Sequence, residues 1–293
     1  RSYEIARNHL DFYAFTPHAY WPDIEPFVDP QSRGAEDKWI NGFAVTKERW
    51  PEVVAIAKEF DDPGTFAVLL GYETHSGQVG DHHIIFPDLD GELMLFDDHE
   101  EWKRFARKRG CLLFPHHPAN RKGVRGANFD VRDPDISPVL EMYSEWGCAE
   151  HDRAAYPYKR HSEGGRWTGG TAQALLAQGH RFGFIASTDQ HLGYPGAYRE
   201  GLAAIKAPEL TREAIFDSIR KRQTYAVTGD RIEVDFFVNG EMMGQEVPYS
   251  QKREIEVAVE GWDQIDCVEV IKNNKVIHRD FPMDREPSEN SWK

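Results

Sequence analysis

Short apolar runs that end in a polar, ligand-type residue recur along the chain. Leu10-Asp-Phe-Tyr-Ala-Phe-Thr leads into Pro17-His18, and Phe66-Ala-Val-Leu-Leu-Gly-Tyr into Glu73. Cys111-Leu-Leu-Phe-Pro leads into His116-His117, Val139-Leu-Glu-Met-Tyr-Ser into Glu145, and Phe182-Gly-Phe-Ile-Ala-Ser-Thr into Asp189-Gln-His191. One run, His83-Ile-Ile-Phe, carries its histidines at the start instead. Between these runs the apolar period changes to that of amphipathic helices: Lys47 to Phe60, His99 to Arg109 stopped by Gly110, Thr171 to Gln178 stopped by Gly179, and Leu210 to Arg222. A further short helix opens the chain, with Ser2 placed to cap it. Continuous apolar strands alternating with helices predict a parallel sheet. Ligand-type residues at several strand ends predict one functional rim, which a β/α barrel of the TIM type supplies at the carboxyl ends of its strands. A doubly wound open sheet is the alternative.

After Thr228-Gly-Asp-Arg231 the period becomes two. Alternating segments start at Glu233, Glu254, Cys267 and Lys275, and Asn239-Gly240 and Asn273-Asn274 are hairpin-turn pairs. The expected organisation is therefore a β/α barrel over 1–230, an antiparallel β module over 231–283, and a polar tail over 284–293.

Composition narrows the function. Asp and Glu number 49 against 35 Lys and Arg, a net charge of −14, which argues against nucleic acid and anionic membranes as partners. No apolar run approaches the ~18 residues of a membrane span. Three cysteines, Cys111, Cys148 and Cys267, imply no disulfide framework. The expected partner is a small-molecule or glycan substrate. The sequence leaves oligomeric state and compartment open: the chain reads as soluble, cytoplasmic or exported after loss of an N-terminal segment.

The chemistry lies in the thirteen histidines and the acids beside them. His, Glu and Asp without nearby Cys favour divalent Zn, Mn or Fe, and the mixture suits two or three ions. In extended backbone, residues i and i+2 share a side, so Asp189 and His191 can reach one centre together. Glu73 at a strand end can bridge two ions. His82 and His83 alternate faces, so at most one points inward; His116-His117 poses the same choice, with Pro118 restricting the backbone of His117. Glu145 is a candidate catalytic residue, and Arg121 and Arg125 are candidates for holding a phosphate or carboxylate. Glu141 reads as a structural partner. His9, His75, His99, His151, His161, His180 and His278 read as surface residues. The aromatics Tyr20, Trp21, Trp39, Trp50, Trp146, Trp167, Tyr194 and Tyr198 either stack on a ligand or form a satellite core under loops. Paired ions lower the pKa of water and clamp the attacking and leaving oxygens, which phosphate-ester hydrolysis needs most.

These motifs resemble the PHP (polymerase and histidinol phosphatase) superfamily of metal-dependent hydrolases. The run from Leu10 to His18 is similar to that family's strand ending in Thr-Asp-His, Gly71-Tyr-Glu73 to its Gly-x-Glu, His117-Pro118 to its His-Pro, and Asp189-x-His191 to its Asp-x-His. Within it, Tyr143-Ser-Glu-Trp-Gly, the stretch from Gly183 to Gly193, and Arg222 to Ile232 resemble the bacterial branch described as domain of unknown function 3604. The resemblance implies a distorted β/α barrel and metal ligands at His18, Glu73, one of His82 or His83, His117, Asp189 and His191, with His116 undecided. It further implies a first strand carrying His-x-His; no His-x-His occurs in this sequence, so that strand is expected upstream of Arg1. Pro17 stands where the family has Asp. The expected function is a metal-dependent hydrolase using a metal-activated water on a phosphoester. The alternatives are cleavage of a glycan or C–N bond at the same centre, or a catalytically silent binding module.

Overall fold

The computed structural model describes residues 1–23, 33–159 and 165–284, with the backbone alone for 33–38 and 284. His161 and nearly all of the expected polar tail lie outside the described residues. Helix α1 (Ser2–Arg7) leads into strands β1 (Phe12–Phe15) and β2 (His18–Tyr20), then α2 (Arg33–Phe60) and β3 (Ala67–Thr74). There follow β4 (His82–Ile85), α3 (His99–Arg109), β5 (Leu112–Pro115), β6 (Val139–Ser144), β7 (Gly147–Cys148), α4 (Ala172–Ala177) and β8 (Gly183–Ala186). The last third holds β9 (Leu202–Ile205), α5 (Arg212–Arg220), β10 (Thr224–Val227), β11 (Glu233–Val238), β12 (Glu241–Met242), β13 (Ile255–Glu260), β14 (Val268–Lys272) and β15 (Lys275–Asp280).

The fold is mixed α/β. Strands β1 and β3 pair in parallel across α2, and β6 and β8 pair in parallel across α4, as the alternating pattern predicts. The wholly parallel sheet is not found, because β4 runs antiparallel to both β3 and β5. Only residues 75–81 join β3 to β4, too few for the dozen or more that a parallel crossover needs. The described strands form separate sheets: β1-β3-β4-β5 with β2 on β3, β7-β6-β8, β9-β10, β12-β11-β13, and β14-β15. Among the described residues no ladder closes them into a barrel.

The reversal of β4 explains its leading histidines. The start of an antiparallel strand lies beside the end of its neighbours, and His83 is opposite Glu73 while His82 is opposite Thr74 and Pro115. Two apolar layers fix the faces. Phe66 just before β3 and Val68, Leu70 and Tyr72 on it pack with Trp50 and Ala57 of α2, whereas Ala67 and Leu69 pack with Ile85, Phe114, Val139, Ile185 and the α5 residues Ile215, Phe216 and Ile219. Period-two alternation carries the second row through Gly71 to Glu73, through Ile85 to His83, through Phe114 to His116, and through Val139 to Glu141. One apolar face therefore ends in one polar rim. Gly71 lies in that row because β4 crosses tightly there: a Cβ would come 2.6 Å from the Ile84 carbonyl oxygen.

Local signals hold in detail. Asp98 caps α3 by accepting from the Glu100 amide, and Gly110 ends it at φ 78°. Asn239-Gly240 and Asn273-Asn274 have positive φ at both positions and join β11–β12 and β14–β15 as two-residue hairpins. Ser2 does not cap α1; it is the first helical residue, after Arg1. Helix α2 starts well before the expected Lys47.

Candidate metal centre

The rim gathers three overlapping groups of donors: His18, Glu73 and His75; Glu73, His83 and His116; and His116, His117 and Asp189. Within each group one donor atom per residue lies within 4.8 Å of the others, a spacing compatible with a shared metal ion. Glu73 is central. Its Oε2 is 3.1 Å from His18 Nε2 and 3.7 Å from His83 Nε2, and its Oε1 is 3.5 Å from His75 Nδ1 and 3.7 Å from His116 Nε2. Across the rim, Asp189 Oδ2 is 3.5 Å from His116 Nε2 and 3.6 Å from His117 Nε2.

Apart from the 3.1 Å between His18 and Glu73, these separations are long for hydrogen bonds and fit a metal better. Glu73 Oε1, His116 Nε2 and Asp189 Oδ2 are buried with no hydrogen-bond partner. Buried polar atoms are rarely left so, since each costs about 1–3 kcal/mol. Two ligands each about 2.1 Å from a tetrahedral ion are about 3.4 Å apart, close to the 3.5–3.7 Å found between these atoms.

The surrounding residues aim the ligands. Glu141 Oε2 accepts from His116 Nδ1 at 2.6 Å, which turns Nε2 toward Glu73 and Asp189; Ser187 donates to the same oxygen. The Tyr158 hydroxyl lies 3.3 Å from His117 Nδ1. His117 and Asp189 both sit in the left-handed region, at φ 47° and 53°, an arrangement that costs a side-chain-bearing residue energy and recurs at functional sites.

Charge is balanced locally. Burial alone would raise the Glu73 pKa, but His18, His75 and His116 outweigh it and hold the carboxyl well below its usual range. Burial alone would lower the His116 pKa, yet Glu141, Glu73 and Asp189 raise it well above normal. His75 is fully buried and shifts down, its desolvation exceeding the pull of Asp81 and Glu73.

The expected residues are placed as follows. His18, Glu73, His83, His116, His117 and Asp189 come together. His191 is on the outer rim, half exposed, its ring 5.3 Å from that of His18 and its Nδ1 3.4 Å from Glu145 Oε1. His82 is not part of the cluster: it is buried on the opposite face of β4, with Nδ1 on the Gly80 carbonyl, and burial pushes its pKa down to about 3. Glu145 lines the cavity above the cluster. Arg125 is buried and paired with Asp81 at 2.5 Å. Arg121 is exposed and does not line that cavity.

His75 is not the expected surface residue but lies completely buried against Glu73. The i, i+2 rule applied to Asp189 and His191 selects it equally, since Glu73-Thr-His75 repeats the spacing. Asp81 and Glu200 also escape a sequence reading. Burial and the neighbouring Glu145 raise the Glu200 pKa to about 7. Of the aromatics, Trp50 is core, while Trp39 and Trp146 line the cavity, Trp39 stacking on His18 at 4.6 Å.

Comparison with known proteins gives three results. The family model described as "Protein of unknown function (DUF3604)" matches residues 197–260. Uncharacterized proteins of Chlamydia trachomatis and Chlamydia pneumoniae are each 26% identical, over 81% and 85% of this chain. The chain spans only 42% and 43% of those relatives' length. A crystal structure from Bacteroides vulgatus, of a two-domain protein containing a predicted PHP-like metal-dependent phosphoesterase, superposes with a TM-score of 0.41 at 13% identity, covering 92% of this chain and 83% of that one. Among the described residues no helix is long and apolar enough to cross a membrane.

Proposed function

We propose that this chain carries the centre of a metal-dependent hydrolase, acting on a phosphoester. The observation that carries the reading is the set of buried, partnerless donor atoms on Glu73, His116 and Asp189, facing one another at ligand-like spacing. His18, Glu73, His83, His116, His117, Asp189 and His191 would hold two or three ions of zinc, manganese or iron. Bound there, such ions supply Lewis acidity and bring the pKa of water toward neutrality.

The chain's own residues do the rest. Glu141 keeps His116 in the tautomer that presents Nε2 to the centre. The left-handed backbone at His117 and Asp189 sets the direction from which their side chains enter the rim. Glu145, on the cavity wall and paired with His191, would hold or return a proton at the departing oxygen. The cavity of about 1450 Å³ that opens on the rim admits a substrate of modest size. The choice of a phosphoester rests on the motif resemblance and on the need of that reaction for cations at both oxygens.

The test is metal analysis of the purified protein, followed by turnover of phosphomonoesters, phosphodiesters and oligosaccharides with and without chelator. Phosphoester turnover that chelator abolishes, and that Glu73→Gln lowers by about a hundredfold or more, is expected. Chelator-sensitive turnover of oligosaccharides alone would move the substrate class to glycans. A protein that takes up no divalent metal would end the hydrolase reading.

A further inference from the structure

We infer that Arg125 is a built-in cation of this centre. It stands where an ion would otherwise sit between Glu73, His75 and Asp81, and so keeps divalent ions off that side of Glu73 and leaves them to the other donors of the rim. The inference rests on the metal-centre reading above and concerns where the charge comes from.

On that side of Glu73 the donors have ligand-like spacing. His75 Nδ1 is 3.2 Å from Asp81 Oδ1 and 3.5 Å from Glu73 Oε1. A guanidinium already occupies the neighbourhood. Arg125 Nη2 is 2.5 Å from Asp81 Oδ2, 3.1 Å from His75 Nδ1 and 4.0 Å from Glu73 Oε1. The carbon of its fork also lies 5.4 Å from the Trp21 ring and 5.3 Å from the Trp39 ring, two indoles that meet edge to face beside it.

The backbone anchors the same residue. The Asp81 amide donates to the Arg125 carbonyl at 3.0 Å, and the Asp81 carbonyl accepts from the His116 amide at 2.9 Å. The loop behind Arg125 is closed tightly: a Cβ on Gly126 would come 1.9 Å from the Asn120 carbonyl oxygen. Arg125 is therefore held by construction and is not a long side chain that happens to reach inward.

The charges explain the arrangement. Glu73, Asp81 and Glu141 are buried, and Asp189 is nearly so. A guanidinium cannot lose its proton in a protein, so it answers part of this charge permanently. A dication coordinated by His75 and Asp81 would share their donor atoms with a fixed positive charge at contact distance, in a site where water screens little. A substrate anion meets the opposite problem, because Asp81 and His75 already take the Nη2 edge of the fork and both indoles stand close beside it.

The experiment counts ions in the intact protein and in Arg125→Met and Arg125→Lys, after loading with manganese or zinc and dialysis. Arg125→Met is expected to bind one more equivalent per chain than the parent, because His75, Asp81 and Glu73 lose the fixed cation beside them. Arg125→Lys is expected to match the parent. An Arg125→Met protein that binds no more ion than the parent overturns the inference, whatever the parent binds; a parent that binds none bears on the hydrolase reading instead. Should Arg125→Met not fold, nitrogen NMR of the histidines in the zinc-loaded parent decides. The His75 nitrogens are expected to stay at their zinc-free positions while those of His83, His116 and His117 move, and a His75 signal at the zinc-ligated position overturns the inference.

Discussion

Glu141 shows how much a single side chain can control. Its carboxylate sets the orientation of His116 through one 2.6 Å hydrogen bond. Glu141→Ala should weaken metal binding by about 10–100-fold, measured by competition with a chromophoric chelator; unchanged affinity would show that His116 needs no such support. His82 is the complementary case, a histidine on the wrong face of the same strand. Burial pushes its pKa from 6.5 to about 3. The unfolded chain then binds the proton first, so the neutral form's contribution is intact above pH 6.5 and is lost as pH falls from there toward 3. Relative to His82→Gln, the parent should lose about 1.4 kcal/mol per pH unit below that point, read by urea unfolding at pH 7.5 and 5.5. Sequence alone leaves His82 and His83 as a pair because both types are equally good ligands. The choice depends on which face of β4 meets Glu73, which is a matter of register. His75 is within reach of the spacing rule and Arg125 of the basic run after His117-Pro118, whereas Asp81 carries no local signal; only the fold brings Asp81 and Arg125 together.

At the scale of elements, the apolar runs identify most of the site-bearing strands, and alternation identifies the faces. Direction is less legible. The histidines of β4 come first because the 75–81 connection is too short for a parallel return, and that reversal places them on the rim with Glu73 and His116. The strands β2, β9 and β10 escape a sequence reading, since none belongs to an apolar run that ends in a ligand-type residue. The joint between β3 and β4 is also where the rim is most sensitive. Gly71→Ala would push a methyl group to 2.6 Å from the Ile84 carbonyl oxygen, and the strands would have to part. We expect a loss of about 1–3 kcal/mol and a drop in metal affinity, because Glu73 and His83 are carried by the two displaced strands. Calorimetric unfolding and metal titration of the one variant check both; a loss of stability with metal affinity intact would show that the rim does not depend on this packing.

Across the whole molecule, residues from His18 to Asp189 converge on one rim although the strands bearing them belong to separate sheets. The common apolar face explains this: Leu69, Ile85, Phe114, Val139 and Ile185 pack as one layer, and each row ends at or beside a ligand-type residue. The strand-end pattern in the sequence is the trace of that layer. The closed cylinder inferred from it is a further step, and the described ladders do not supply it. The most direct test of the account is a crystal structure of the metal-loaded protein with anomalous scattering recorded at the metal's absorption edge. The account predicts anomalous peaks among Glu73, His83, His116, His117 and Asp189, within about 2.0–2.3 Å of their donor atoms. Peaks elsewhere on the molecule, or none among these side chains at full metal loading, would contradict it.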